Sequence, residues 1–133
     1  MTKEEKLAAA NRRCEYNKYN GIRVVELTDE MCVTEGELRP EALNPWGMAH
    51  GGFIYSLCDV AAGVLVSRLE RRGVTLSGNM YYLRPSKGTR LRAVGRMVKD
   101  GKTVALVQTE VFDDTGTKTA HGDFQIFITE DTK

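Results

Sequence analysis

The chain has 133 residues, 41% hydrophobic and 28% charged, with a formal net charge of +1. That length suits one domain with a real core and is too short for two. The balanced charge gives no general pull toward nucleic acid or a membrane surface. No apolar run approaches the roughly 20 residues of a transmembrane helix, and the opening MTKEEKLAAA lacks the apolar stretch of a signal peptide. Three cysteines, Cys14, Cys32 and Cys58, without CxxC spacing, fit neither a disulfide framework nor a zinc site. The expected compartment is the cytoplasm, and no metal is expected.

In chain order, residues 3–18 predict a short helix with a weak apolar side (Leu7, Ala8, Ala10, Cys14, Tyr16), broken by Asn20-Gly21, where positive φ is tolerated. Residues 22–27 and 31–38 read as two strands joined by a turn at Thr28-Asp29-Glu30. Residues 39–48 hold Pro40 and Pro45 and read as loop. From Gly51 to about Arg71 the pattern is helical: Phe53, Ile54, Leu57, Val60, Ala61, Val64, Leu65 and Leu69 cover more than one face, which predicts a helix buried nearly all round. Arg68, Arg71 and Arg72 suit the negative end of its dipole, and Gly73 is available as the stop. Strands follow at 74–83, 89–98, 103–112 and 117–129, separated by Arg84-Pro85, a turn at residues 99–102 and a turn at residues 113–116. This order predicts an α+β domain in which an antiparallel sheet curves around one long helix, with 1–20 as an N-terminal helical segment and 21–133 as the domain.

Two features carry chemistry. Asn44 and His50-Gly51-Gly52 stand at the doorway of the long helix, where the first N–H groups lack intrahelical partners and the dipole adds partial positive charge. Glycines there let a ligand come close, so the place suits a carbonyl oxygen that gains negative charge under attack. Asn44 adds a donor, and His50 a donor or acceptor. In isolation the same tripeptide also fits a tight loop-to-helix turn, with His50 capping or packing. The second feature is Asp59, a lone carboxylate in the apolar helix. Its helical neighbours Tyr55, Ser56, Ala62 and Gly63 cannot neutralise it. A buried unpaired carboxylate costs several kcal/mol or takes up a proton. Asp59 therefore reads either as an acid that finds solvent or a backbone amide, or as a general base or nucleophile tuned by its surroundings. Eight residues of helix put it roughly 12 Å along the axis from Gly51, too far for one small carbonyl to touch both; either the two serve different jobs or, the favoured reading, the site is completed by Asp59 of a second, symmetry-related chain.

Asn44, Gly47, His50-Gly51-Gly52 and Asp59, followed by Thr75, Asn79 and Leu83-Arg84-Pro85, resemble the hotdog-fold acyl-CoA thioesterases of the phenylacetate-degradation type. The likeness runs from about Gly21 to the end of the chain. It implies a homodimer, pairing again into a homotetramer, with sites at the dimer interface and no cofactor beyond the CoA of the substrate. It also implies that Asp59 activates water or attacks the thioester, that the Gly51 or Gly52 amide polarises the carbonyl, that Asn44 holds the water or carbonyl, and that His50 orients the loop. In some relatives a Ser or Thr one turn after the acid assists it. Here that position is Gly63, so either another residue supplies the role, with Asn79 as a candidate, or the role is absent. Because CoA is a polyanion, Arg84, Lys99 and Lys102 are candidate phosphate contacts. Trp46, Phe53, Tyr81 and Tyr82 are candidates to line an acyl pocket, each with a core role as the alternative. Cys58 reads as buried packing and His121 as exposed. Two rival functions share the fold: a non-catalytic acyl-CoA-binding sensor, which gives no reason to bury an acid, and a dehydratase or hydratase, whose His and acid are spaced differently.

Overall fold

The computed structural model describes residues 1–12 and 14–131. Two short helices, α1 (Lys3–Arg12) and α2 (Glu15–Asn20), precede strands β1 (Ile22–Leu27) and β2 (Met31–Glu37), a single 3-10 turn at Pro40–Ala42, and the long helix α3 (Gly51–Ser67). Four strands follow: β3 (Arg71–Tyr82), β4 (Arg90–Asp100), β5 (Val104–Phe112) and β6 (Lys118–Asp131). All six strands form one antiparallel sheet in the order β1-β2-β4-β5-β6-β3. The sheet curves around α3, as the sequence predicts for a hotdog fold. Register shifts in β1, β3, β4 and β5 supply the bends that a curved sheet needs.

The helix packs where the sheet offers little bulk. A Cβ on Gly36 of β2 would sit 2.6 Å from the Phe53 ring, and one on Gly95 of β4 would sit 3.4 Å from Ala61. Leu57, Cys58, Ala61, Ala62, Leu65 and Val66 are fully buried against Leu91, Ala93, Val107, Phe124 and Ile126. Each large aliphatic side chain so buried contributes about 1.5–3 kcal/mol. The buried Thr34 hydroxyl donates to the Leu57 carbonyl (2.8 Å), fixing the helix over β2 without leaving a polar group unpaired.

The structure corrects three expectations. The single helix over 3–18 is two helices, with Cys14 extended before α2 (φ −106°, ψ 104°). The long helix stops at Ser67 rather than Arg71, and Gly73 lies inside β3. Arg68 (φ 48°) and Leu69 (φ 65°) turn left-handed without help from glycine. The Arg71 Nε donates to the Val66 carbonyl (2.8 Å), and Arg68 and Arg71 both bond Asp100. These ties hold the early stop. Third, α3 is not buried all round. Tyr55, Ser56, Asp59, Val60, Gly63, Val64 and Ser67 form a half-open stripe along one face.

The N-terminal helices lie beside this stripe. The Asn11 amide donates to the Val24 carbonyl (2.9 Å) and accepts from the Val24 N–H (2.8 Å), pairing edge strand β1 as a neighbouring strand would. Gly21 ends α2 in the left-handed region (φ 69°), the break that Asn20-Gly21 predicts. Among the described residues, no helix is long and apolar enough to cross a membrane.

Candidate active site

The loop before α3 is built to deliver His50. The Asn44 side-chain oxygen accepts from the N–H groups of Trp46 and Met48 (3.0 Å each), Gly47 turns at φ 78°, and the His50 N–H donates to the Ala42 carbonyl (2.8 Å). His50 is the N-cap of α3, and its Nδ1 accepts from the Gly52 N–H at 2.8 Å. An accepting Nδ1 assigns the proton of the neutral ring to Nε2.

That cap separates the two glycines. The Gly52 amide is taken by His50, whereas the Gly51 N–H has no acceptor among the described residues. The Gly51 carbonyl accepts from the Tyr82 hydroxyl (2.8 Å), and a Cβ on Gly51 would sit 3.5 Å from the Tyr82 ring. Burial, with Cys58 and Tyr55 nearby, pushes the Tyr82 phenol up, so it stays a donor. A cavity of about 400 Å³ opens here, lined by Asn44, Gly51, Ile54, Tyr82, Leu83 and Arg84 among others.

Asp59 opens onto a different space, a groove of about 910 Å³ along the half-open stripe. It is half-buried rather than enclosed, and it is not alone: the Thr75 hydroxyl of β3 donates to its Oδ1 at 2.6 Å. Burial and the charge of Asp59 push the neighbouring Tyr55 phenol up, so that ring faces the carboxylate in its neutral form. Tyr55 packs edge-on against Phe124, with centroids 5.1 Å apart.

The structure groups the sequence candidates unevenly. Asn44, Gly51, Tyr82 and Arg84 share the doorway cavity, with His50 and Gly52 at its helix cap. Asp59 stands apart in the groove, consistent with the helix-rise estimate. The contact beside it is made by Thr75 and not by Asn79, which is exposed on β3 opposite Asp123 and lines neither space. Lys99 and Lys102 are exposed beyond the far end of α3 and line neither space. Between them Asp100 is drawn to Arg68 and Arg71; partial burial opposes its charge, but those hydrogen bonds win and hold its carboxyl below the usual range. Of the candidate pocket aromatics, Phe53 is core, Trp46 is 78% exposed, Tyr81 stacks on His121 at the surface, and Tyr82 lines the doorway cavity. Cys58, next to Asp59, is fully buried, and burial pushes its thiol up to about 12, which leaves no thiolate for attack. Among the described residues no group of His, Cys, Asp and Glu could hold a metal. Nothing in helical spacing links residues 59 and 75; the placement of β3 beside α3 brings the Thr75 hydroxyl to the carboxylate.

A long helix wrapped by a curved antiparallel sheet defines the class as a hotdog fold. The chain belongs to the Thioesterase superfamily, whose family model matches residues 47–120, and so to a class of thioester hydrolases. The medium/long-chain acyl-CoA thioesterase YigI of Escherichia coli is 27% identical over 118 residues, spanning 74% of this chain and 76% of that protein. The structure of smu.793 from Streptococcus mutans bound to acetyl CoA is similar with a TM-score of 0.81 at 29% identity, covering 92% of this chain and 100% of that one. A mutant structure of the phenylacetic acid degradation protein PaaI from Thermus thermophilus gives a TM-score of 0.79 at 30% identity, covering 86% and 98%.

Proposed function

We propose that this chain hydrolyses an acyl-CoA thioester to the free acid and CoA. The observation that carries the reading is the pair of groups on one helix: a Gly51 N–H at its start with no acceptor among the described residues, and Asp59 held by Thr75 on its open stripe. The Gly51 amide, strengthened by the helix dipole, takes the negative charge that develops on the thioester oxygen. Asp59 either takes a proton from water as the resulting hydroxide adds to the acyl carbon, or attacks that carbon itself and leaves an anhydride for water to open. In both courses the C–S bond breaks and the CoA thiolate leaves with a proton. His50 has its Nδ1 engaged by Gly52 and acts by fixing the doorway. Arg84, in the doorway cavity, is the cation best placed for a CoA phosphate. The acetyl CoA in the Streptococcus mutans structure and the acyl-CoA substrates in the name of YigI support CoA as the thiol.

The two spaces meet if a second copy brings its doorway to Asp59. Strand β3 is an unpaired edge of 12 residues, and Val74 and Leu76 on it are each 57% exposed. A long edge with exposed apolar side chains invites a partner strand, which supports a homodimer with Asp59 of one protomer serving the doorway of the other. The test is free-thiol release from a panel of acyl-CoA thioesters, with CoA and free acid formed one to one. Tight acyl-CoA binding with no turnover on any member would instead identify a sensor.

A further inference from the structure

The β5–β6 turn at residues 113–116 does more than reverse the chain. Asp113 folds it: Oδ1 accepts from the Thr115 N–H (3.0 Å), the Thr115 hydroxyl (2.6 Å) and the Thr117 N–H (3.3 Å). Its other oxygen reaches across to the loop between β3 and β4 and accepts from the Lys87 N–H at 2.9 Å. Asp114 makes the same reach, and its Oδ2 accepts from the Thr89 N–H (2.7 Å) and the Thr89 hydroxyl (3.3 Å). Gly88 lies between these two ties at φ 93°, and a Cβ there would collide with the Asp114 carboxylate, so only glycine lets that carboxylate approach. The near end of the loop is fastened to the same hairpin, since the Leu83 and Arg84 N–H groups both donate to the Thr119 carbonyl (2.9 and 3.3 Å). The Thr89 carbonyl in turn accepts from the Leu38 N–H (2.8 Å), just before the segment that carries Asn44.

The fastened loop supplies one wall of the doorway cavity, from Leu83 to Ser86. Its backbone is tied at both ends, yet the Arg84 guanidinium makes no hydrogen bond or ion pair among the described residues. A fixed backbone carrying an unengaged guanidinium is a preorganised donor, because the ordering that binding demands is in place before the ligand arrives. We infer that the Asp113-Asp114 turn is a clasp that sets the reach of Arg84 toward the phosphates of the CoA thioester, with Asp114 as a positioning residue that never touches substrate. The inference rests on the thioesterase reading above, which supplies the polyanion. It goes further in giving a turn outside the cavity a part in recognition. Asp114 is the member to perturb, because Asp113 also holds the turn itself.

The experiment compares an acyl-CoA with the matching acyl-pantetheine, which has the same thioester but no phosphate. It uses wild type, Asp114→Ala, Asp114→Asn, Thr89→Val, Arg84→Ala and the Asp114→Ala/Arg84→Ala double variant, with a melting curve for each. The readout is the ratio of KM for the CoA thioester to KM for the pantetheine thioester. Arg84→Ala should raise it about fivefold, the scale of an exposed charge pair, and Asp114→Ala about threefold. Loss of a carboxylate near a polyanion would by itself favour CoA binding, so a rise has the sign that only the clasp gives. Asp114→Asn loses the same charge but keeps an oxygen to accept from Thr89, and its ratio should not exceed that of wild type. Thr89→Val removes one of the two donors to Asp114 and should raise the ratio less than Asp114→Ala. In the Arg84→Ala background Asp114→Ala should add nothing, because the clasp acts through that side chain. An unchanged or lower ratio in Asp114→Ala and Thr89→Val, an Asp114→Asn as impaired as Asp114→Ala, or a full further rise in the double variant would overturn the inference. The thioesterase reading fails separately, if wild type releases no thiol from either substrate.

Discussion

Replacing Thr75 by valine removes one hydroxyl and keeps the shape of the side chain. In the native protein that hydroxyl donates to Asp59 Oδ1 at 2.6 Å. A hydrogen bond to a charged group is worth about 1.5–3 kcal/mol, and this one lies in an open groove where water replaces part of what is lost, so the lower figure applies. At 1.36 kcal/mol per decade, about 1.5 kcal/mol is a fall in kcat of roughly tenfold. Thr75 is exposed on an edge strand, so its effect on folding should stay within about 0.5 kcal/mol. The assay is steady-state thiol release on the best acyl-CoA, with the melting temperature measured alongside. Thr75→Ser should recover most of the activity, because it restores the donor without the methyl group. Refutation would be a Thr75→Val enzyme within about twofold of wild type, which is less than half a kcal/mol, or a Thr75→Ser enzyme as slow as the valine variant.

Three other perturbations test the frame around the site. His50→Ala removes the side-chain cap on Gly52; loss of an N-cap costs about 1 kcal/mol, a drop of roughly 4 °C in melting temperature for a domain of this size, accompanied by a higher KM as the doorway loosens. Asp113 accepts from Thr115, Thr117 and Lys87, and these bonds, led by the Thr115 hydroxyl, lower its carboxyl to about 2. A carboxyl depressed in the folded state stabilises above its unfolded value near 3.9 and loses that contribution as pH falls through about 2. Asp113→Asn should therefore melt lower than wild type at pH 7, with the gap closing as the buffer is acidified over that window. Gly122→Ala puts a Cβ 2.1 Å from the Asn79 carbonyl oxygen, across the β6–β3 ladder; such overpacking costs about 1–3 kcal/mol, read as a lower denaturant midpoint.

The parts of this structure that local chemistry dictates were legible in the sequence. The helix start at His50-Gly51-Gly52 follows from cap chemistry, and β1, the turn at residues 113–116 and the alternation of β5 and β6 follow from period-two patterning. What was not legible depends on distant partners. The helix ends four residues before Arg71 because Arg68 and Arg71 are anchored to Asp100, 32 and 29 positions away. Asp59 looked enclosed because apolar residues cover several faces of its helix. In the fold, β3 and the N-terminal helices leave a groove there instead of closing it. Asn79 and Thr75 were equally visible in the chain, and only the register of β3 puts Thr75 at the carboxylate. The basic residues read alike in sequence, yet Arg84 lines the doorway cavity and Lys99 and Lys102 line neither it nor the groove at Asp59.

The most direct measurement is thiol release by Asp59→Asn under single-turnover conditions on a substrate the wild type cleaves, with the fold checked by its melting curve. Asparagine keeps the size of the side chain and its bond to Thr75 but can neither take a proton from water nor attack the acyl carbon. The predicted result is a rate at least ~10²-fold below wild type, about 3 kcal/mol of lost transition-state stabilisation, in a protein that melts as the wild type does. A folded Asp59→Asn protein that cleaves at the wild-type rate would contradict the role given to this carboxylate.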